Sequence, residues 1–271
     1  MRFGLTANVN VPDALRLSRL VRDTLKGQEL LLEKNVAKVL GEKGMRIEDM
    51  NVEVMVTIGG DGTILRALMK NDAPIFGINA GDLGFLTEVQ EDMVEDGLEC
   101  ILHNEYTIEE RTKLRTDFKG ERMMDATNEV VVHTAHIAKL RNFRVFVDDE
   151  LALDVRADGI IVSTPTGSTC YAMSVGAPIL DPRLKALVIA PMAPFKFGGR
   201  PTVVPSASDI RIEVMRPKPC VIVFDGQEQV DMEGHEEVRF TTSDKTARFV
   251  SLGRTFYTKM REKLTGGPCW A

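Results

Sequence analysis

Apolar side chains along the first hundred residues follow two alternating rhythms. Arg2 to Ala7 is an apolar run of strand length, and from about Asp13 to Leu40 the residues Leu15, Leu17, Leu20, Val21, Leu25, Leu31, Leu32, Val36 and Leu40 form a long helical stretch, with Gly27 as the break or bend. The β-branched run NVEVMVTI (Asn51 to Ile58) predicts a buried strand. It passes directly into Gly59-Gly60-Asp61-Gly62, after which Ile64, Leu65, Leu68 and Met69 restore the helical period. Ala73 to Asn79 predicts a further short strand, and Asp92 to Leu102 a helix. Strands alternating with helices to about Asn104 indicate an α/β domain with a parallel sheet.

The texture changes at Tyr106. Short β-rich segments, among them YTIEERTKLRTDF, DATNEVVVHT, FRVFVDDELALDV, DGIIVSTP, ALVIAPM and CVIVFDG, are divided by Gly, Pro, Asp and Asn, as in an antiparallel β-sandwich. One interruption, CYAMSVGAPIL after Thr169, is more helical than strand-like, and Arg254 to Leu264 has the pattern of a short amphipathic helix. With 271 residues and roughly 150 per domain, two domains are expected. The pattern divides the chain into 1–104 (α/β), 105–252 (β-sandwich) and 253–271, a helix returning to the first domain.

Composition narrows the function. The 34 Lys and Arg against 40 Asp and Glu leave a net charge of -6, which argues against a general nucleic-acid or membrane-surface binder and requires a local site for any anionic ligand. The chain contains no apolar run of membrane-spanning length, and Met1 to Asn10 lacks the features of a secretory signal, so a soluble cytoplasmic protein is expected. Cys100, Cys170, Cys220 and Cys269 form no CxxC pair and are expected as free thiols. His133 and His136, at odd spacing on a strand, point to opposite faces and are read as ordinary strand histidines rather than a metal pair.

Three segments carry chemistry-bearing residues. Gly59 to Gly62 sits where a strand ends and a helix begins, the position at which ligands of open α/β sheets bind. Glycines there admit a phosphate to the backbone, and the helix N-terminus attracts it. Asp61 beside a bound phosphate is electrostatically awkward unless it takes part in a proton transfer or meets a metal; the alternative is that it only caps the helix. GGDG alone arises by chance in roughly one chain in two hundred, so taken by itself it leaves both readings open.

Asn128-Glu129, at the entry to the VVV strand, offers the donors and acceptors that a ribose diol or purine edge requires, against the alternative of a solvated strand entry. Asp158 and the hydroxyls of Thr164, Thr166, Ser168 and Thr169 in TPTGST, with Tyr171, suit a polar ligand grip. The alternative is an N-cap formed by Ser168 or Thr169. The dinucleotide fingerprint GxGxxG and the Walker A pattern are both absent.

Taken in order, TIGGDGTIL, INAGDLGFLTE, NEVVV, ADGIIVSTPTGSTCYAMSVGAPI and RPTVVP resemble the NAD kinases (ATP- or polyphosphate-dependent), over roughly Val52 to Val204, with a weaker match at FDGQ, Phe224 to Gln227, and at the C-terminal helix. GGDG alone is shared with lipid kinases and phosphofructokinases; the full set is far more specific. The resemblance implies an N-terminal α/β domain with a parallel sheet and a C-terminal β-sandwich. Asp61 would be the catalytic carboxylate, with Gly59, Gly60, Gly62 and Thr63 shaping the phosphate loop. Leu83, Phe85, Asn128, Glu129, Asp158, Thr166, Ser168, Thr169, Tyr171 and Ser174 would line the dinucleotide site. It implies NAD and ATP or polyphosphate as substrates, Mg²⁺ or another divalent metal held largely by substrate phosphates, and a homodimer or homotetramer.

The sequence departs from the family pattern in three places. Cys170 replaces the usual Ala, Asp82 stands where His is common, and PFKFGGRP replaces the usual PHSLSxRP, so contacts from Phe195 to Gly199 are not carried over.

Overall fold

The computed structural model describes residues 1–81, 84–136, 139–195, 199–215, 218–233 and 235–265. The chain forms two compact units, Met1–Glu110 with Ala247–Ala271, and Arg111–Thr246.

The first unit is an α/β layer. In chain order it contains β1 (Arg2–Ala7), α1 (Ala14–Thr24), β2 (Glu29–Leu32), α2 (Lys34–Leu40), β3 (Val54–Gly59), α3 (Asp61–Lys70), β4 (Ile75–Asn79) and α4 (Val94–Leu102). β1 pairs in parallel with β2 on one side and β3 on the other, and β3 with β4. Parallel strands are covered on both faces and therefore read as unbroken apolar runs; all six residues of β3 and all five of β4 are buried. Alternate side chains feed two cores. Phe3, Leu5, Val56, Ile58, Phe76 and Ile78 pack with Leu17 and Val21 of α1 and Val94 and Leu98 of α4. Met55 and Ile75, on the opposite face, pack with Ile64, Leu65 and Leu68 of α3. Each such side chain stabilises by roughly 1.5–3 kcal/mol on burial, so α3 is held to the sheet by its packing rather than by its own propensity.

The expected helix from Asp13 to Leu40 is corrected. It is two helices with a strand, β2, between them. The run Glu-Leu-Leu-Leu is as compatible with helix as with strand, but Gly27 takes a positive φ of 98° and turns the chain, and Glu29 to Leu32 then find the free edge of β1.

The second unit holds two antiparallel sheets. Its strands are β5 (Thr107–Phe118, entering from the first unit), β6 (Glu121–Arg122), β7 (Glu129–Thr134), β8 (Arg141–Val147), β9 (Glu150–Ala157), β10 (Gly159–Ser163), β11 (Ala186–Met192), β12 (Thr202–Pro205), β13 (Ile210–Val214), β14 (Cys220–Phe224), β15 (Glu228–Met232) and the first part of β16 (Glu237–Ser251). One sheet runs β12-β11-β10-β7-β14-β15. In the other, β9, β8, β13 and β16 follow one another and β5 lies against β16. β13 and β14 alternate buried and half-buried residues, the period of a strand with one face on the core. After β10, residues Thr166–Thr169 form a 3-10 turn and Tyr171–Ser174 a single helical turn, α5, so the helical reading of CYAMSVGAPIL holds for only four residues.

From Ala247 the chain belongs to the first unit again. Phe249 pairs in parallel with Ile75 of β4, and α6 (Phe256–Thr265) follows. Lys259 of α6 makes a buried 2.7 Å ion pair with Glu88, whose other carboxylate oxygen accepts the Leu252 N–H at 2.7 Å. No described helix is long and apolar enough to cross a membrane.

Candidate active site

In the α/β unit the candidate residues follow from the end of β3. Gly59 has φ 149°, and a Cβ there would collide with the Thr63 hydroxyl, so conformation and space both demand glycine. Gly60 caps α3 in extended conformation, its carbonyl accepting the Thr63 N–H at 3.0 Å. A Cβ at Gly60 would meet nothing within 4 Å, so the loop is open at that point. Asp61 is the first residue of α3, whose N-cap is Gly60. Its carboxylate instead accepts the N–H of Phe85 (2.9 Å) and of Leu86 (3.0 Å), which overturns the capping alternative. A Cβ at Gly84 would fall on this carboxylate, so Gly84 is what lets the Phe85 turn close over Asp61.

Two amides orient the Asp61 carboxylate and leave it lone pairs for a further partner. Lys263 of α6 brings its ammonium to 3.8 Å from Asp61 Oδ2 and lies 4.4 Å from the centroid of the Phe85 ring. Leu83 and Asp82 lie outside the described residues.

In the β unit the NE and TPTGST segments meet. Asn128 and Glu129, at the head of the central strand β7, are buried, not the solvated strand entry considered above. Asp225, after β14, accepts three backbone N–H groups from Thr127 (2.8 Å), Asn128 (2.8 Å) and Glu129 (3.0 Å). The TPTGST loop packs against the same backbone: Thr164 N–H donates to the Asn128 carbonyl at 2.9 Å, and the Thr164 hydroxyl to the Thr127 carbonyl at 2.6 Å. A Cβ at Gly167 would lie 2.5 Å from the Asn128 carbonyl carbon, so only glycine allows this approach. Asn128 Nδ2 lies 3.2 Å from Cys170 Sγ, while Asn128 Oδ1 and Glu129 Oε2 are buried and unsatisfied within the chain.

Burial pushes the Glu129 carboxyl up to about 8, with the Asp225 carboxylate adding to the rise, so it is mostly protonated at neutral pH. Asp225 is also raised by burial, against the lowering effect of its three amides.

The hydroxyls divide differently from the N-cap reading, which is corrected: neither Ser168 nor Thr169 caps α5. Ser168 Oγ donates to the Pro165 carbonyl (2.7 Å) and accepts the Leu180 N–H (2.8 Å); Thr169 Oγ1 donates to the Thr166 carbonyl (3.2 Å) and Ser174 Oγ to the Tyr171 carbonyl (2.7 Å). Thr166 is buried and Tyr171 is 45% exposed. Asp158 joins β9 to β10, at the opposite end of β10 from Ser163. In the β7–β10 register Asn128 lies level with Thr164, and six residue steps at about 3.4 Å each put Asp158 roughly 20 Å along the sheet from it. Gly84, Asp225 and Lys263 were not singled out from the sequence; FDGQ, which contains Asp225, was the available signal.

Comparison with known proteins bears on both units. Residues 7–106 match the ATP-NAD kinase N-terminal domain and residues 127–252 the ATP-NAD kinase C-terminal domain. The NAD kinase of Methanothermobacter thermautotrophicus is 41% identical over 98% of this chain and 97% of its own. That of Thermoplasma acidophilum is 39% identical over 97% and 98%. Among solved structures, yeast NADH kinase complexed with NADH superposes with a TM-score of 0.91 at 21% identity, covering 100% of this chain and 89% of that one, a likeness of fold. An NAD kinase from Archaeoglobus fulgidus in complex with ATP gives 0.80 at 29% identity over 96% and 99%. An α/β unit carrying GGDG, joined to an antiparallel β unit of this kind, defines a phosphotransferase. The chain belongs to the NAD kinase family.

Proposed function

We propose that the chain transfers the terminal phosphoryl group of ATP or polyphosphate to the 2′-hydroxyl of the adenosine ribose of NAD, giving NADP, with Asp61 as the proton acceptor. The observation that carries this reading is the Asp61 carboxylate, held by two backbone N–H groups at the start of α3 and not used to cap that helix.

A ribose hydroxyl is a far weaker acid than a carboxylic acid, so Asp61 does not ionise it in advance. The carboxylate orients the hydroxyl and takes its proton as the O–P bond forms, while the bond from phosphorus to the leaving phosphate breaks. The fixed orientation matters because alignment supplies much of the rate in such transfers. Gly59, Gly60, Gly62 and Thr63 shape the loop that receives the donor phosphates at the α3 N-terminus, where open space at Gly60 admits them.

The dinucleotide falls to the β unit. Asn128 Oδ1 and Glu129 Oε2 are buried polar atoms that need a partner, and ribose hydroxyls provide donors and acceptors for both. A protonated Glu129 can donate as well as accept. Phe85, Leu83, Asp158, Thr166, Ser168, Thr169, Tyr171 and Ser174 complete the proposed set. Because the hydroxyls of Ser168, Thr169 and Ser174 bond to nearby carbonyls, their contribution is to hold the loop's shape.

A divalent cation neutralises the donor phosphates when bound. The proposed Mg²⁺ would be held largely by the substrate phosphates, with the free lone pairs of Asp61 beside them. The enzyme is read as a cytoplasmic homodimer or homotetramer.

The test is an assay of purified protein with NAD, Mg²⁺ and either ATP or polyphosphate, detecting NADP with an NADP-specific dehydrogenase. NADP formed by the wild type and lost in Asp61→Asn supports the reading and names the donor. A folded Asp61→Asn with near-wild-type turnover removes Asp61 from the chemistry.

A further inference from the structure

The α/β unit presents an imbalance at its proposed phosphate loop. GGDG contributes a carboxylate and no cation, and the lysine that serves P-loop enzymes is missing from the motif. The cation nearest along α3, Arg66, is turned elsewhere: it donates to the Thr6 hydroxyl at 2.9 Å and lies 3.8 Å from Glu33. Among the described residues, Lys263 is the one cation whose charged group comes within 4 Å of Asp61, and it arrives from the far end of the chain.

Its placement is built. Lys259 and Lys263 are four residues apart on α6 and so share a face. Lys259 is fixed by its buried bond to Glu88, and Arg254, just before the helix, donates to the Glu88 carbonyl at 3.1 Å. One turn beyond Lys259, the Lys263 ammonium lies against the Phe85 ring, whose face attracts cations. The Phe85 N–H is also one of the two that hold Asp61, so one residue steers both carboxylate and ammonium. At 3.8 Å the ammonium is too far from Asp61 Oδ2 for a hydrogen bond, and with its side chain 34% exposed its three donors remain available to a newcomer.

We propose that Lys263 is the phosphate-binding cation of the transfer reaction, contacting the terminal phosphoryl group of the donor beside Asp61. This rests on the kinase reading above. As the 2′-oxygen bonds to phosphorus and the bridging oxygen departs with its electron pair, the 2′-proton passes to Asp61. Lys263 stays protonated throughout and neutralises charge on the phosphoryl oxygens.

The experiment compares wild type, Lys263→Met and Lys263→Arg in two measurements: steady-state rates with ATP and NAD varied separately, and ATP binding by calorimetry without NAD. Thermal melting confirms that each variant is folded. A charge-assisted contact of this kind predicts a roughly 10- to 100-fold loss in kcat/KM for ATP in Lys263→Met. ATP affinity falls, KM for NAD stays unchanged, and Lys263→Arg recovers most of the loss.

Unchanged kcat/KM for ATP in a wild type that makes NADP overturns the proposal and leaves the kinase reading intact. A lower kcat with unaltered ATP affinity also overturns it, since a merely structural prop for Asp61 would give that result. A wild type that binds ATP but makes no NADP refutes the kinase reading, while a loss of ATP affinity in Lys263→Met still supports the phosphate contact; a wild type that does not bind ATP overturns the contact.

Discussion

Gly84 leaves empty the space that the Asp61 carboxylate occupies: a Cβ at position 84 would stand 2.9 Å from Asp61 Cγ and closer still to Oδ1. The collision alone makes a side chain costly at this position. Gly84→Ala is expected to cost about 1–3 kcal/mol of stability, as overpacking does. It should cost much more in turnover, on the order of 10²-fold for a displacement of about 1 Å. Circular dichroism melts with NADP assays on the same preparation check this. A variant that loses stability but keeps kcat would show that the carboxylate position is not critical.

Glu129 makes the stability of the β unit depend on pH. An unfolded glutamate titrates near ~4.3, whereas the folded carboxyl is pushed up to about 8 by burial. Between these values the unfolded chain has released the proton and the folded chain keeps it, so rising pH favours unfolding. The stabilisation is full below about 4.3 and is lost toward pH 8, at up to ~1.4 kcal/mol per pH unit. Glu129→Gln, which cannot ionise, should show a shallower decline in Tm from pH 5 to 8 and exceed the wild type at pH 8. Asp225, also raised, contributes with the same sign and leaves a residual slope. Identical slopes for both proteins would contradict the assignment.

How much of this was visible in the sequence depends on the range of the cause. The strand, glycine turn and helix around Gly59 to Gly62 were legible because β-branched residues, glycines and helical spacing follow one another within a short stretch. β2 was not, because Glu29 to Leu32 become a strand only through pairing with β1. TPTGST invites a capping role by residue type, yet its hydroxyls are taken up by carbonyls that the turn brings near. Asp225 and Lys263 meet their partners across 97 and 202 residues of chain, so although FDGQ marks Asp225, neither period nor motif says which residues it or Lys263 will meet.

Asp225 accepts three buried N–H groups at the head of β7, and it does so from a positive φ of 49°, which Asn tolerates and Ala resists. Asp225→Ala should therefore lose several kcal/mol, since each abandoned donor carries a penalty of about 1–3 kcal/mol. Asp225→Asn keeps the backbone and one acceptor oxygen. It should fold, raise KM for NAD on the order of tenfold, and lower the Glu129 pKa by removing the neighbouring charge. Kinetics and carbon-13 NMR of the labelled glutamate check both; an unchanged Glu129 titration would refute the coupling.

Lys259 and Glu88 test whether the C-terminal helix is held by charge or by shape. Their side chains are 7% and 4% exposed, so neither charge has water to fall back on. Lys259→Met should cost roughly 3–5 kcal/mol because it strands the Glu88 carboxylate, while adding Glu88→Gln removes that charge yet keeps an oxygen for the Leu252 N–H. The double variant is therefore expected to regain most of the stability lost in the single one, as urea unfolding measures. If α6 acts by delivering Lys263, NADP formation should fall in Lys259→Met and return in the double variant, whereas Lys263→Met stays impaired in either background. Additive losses in the double variant would mean that the two side chains act independently, so that neither a stranded charge nor their mutual attraction secures the helix.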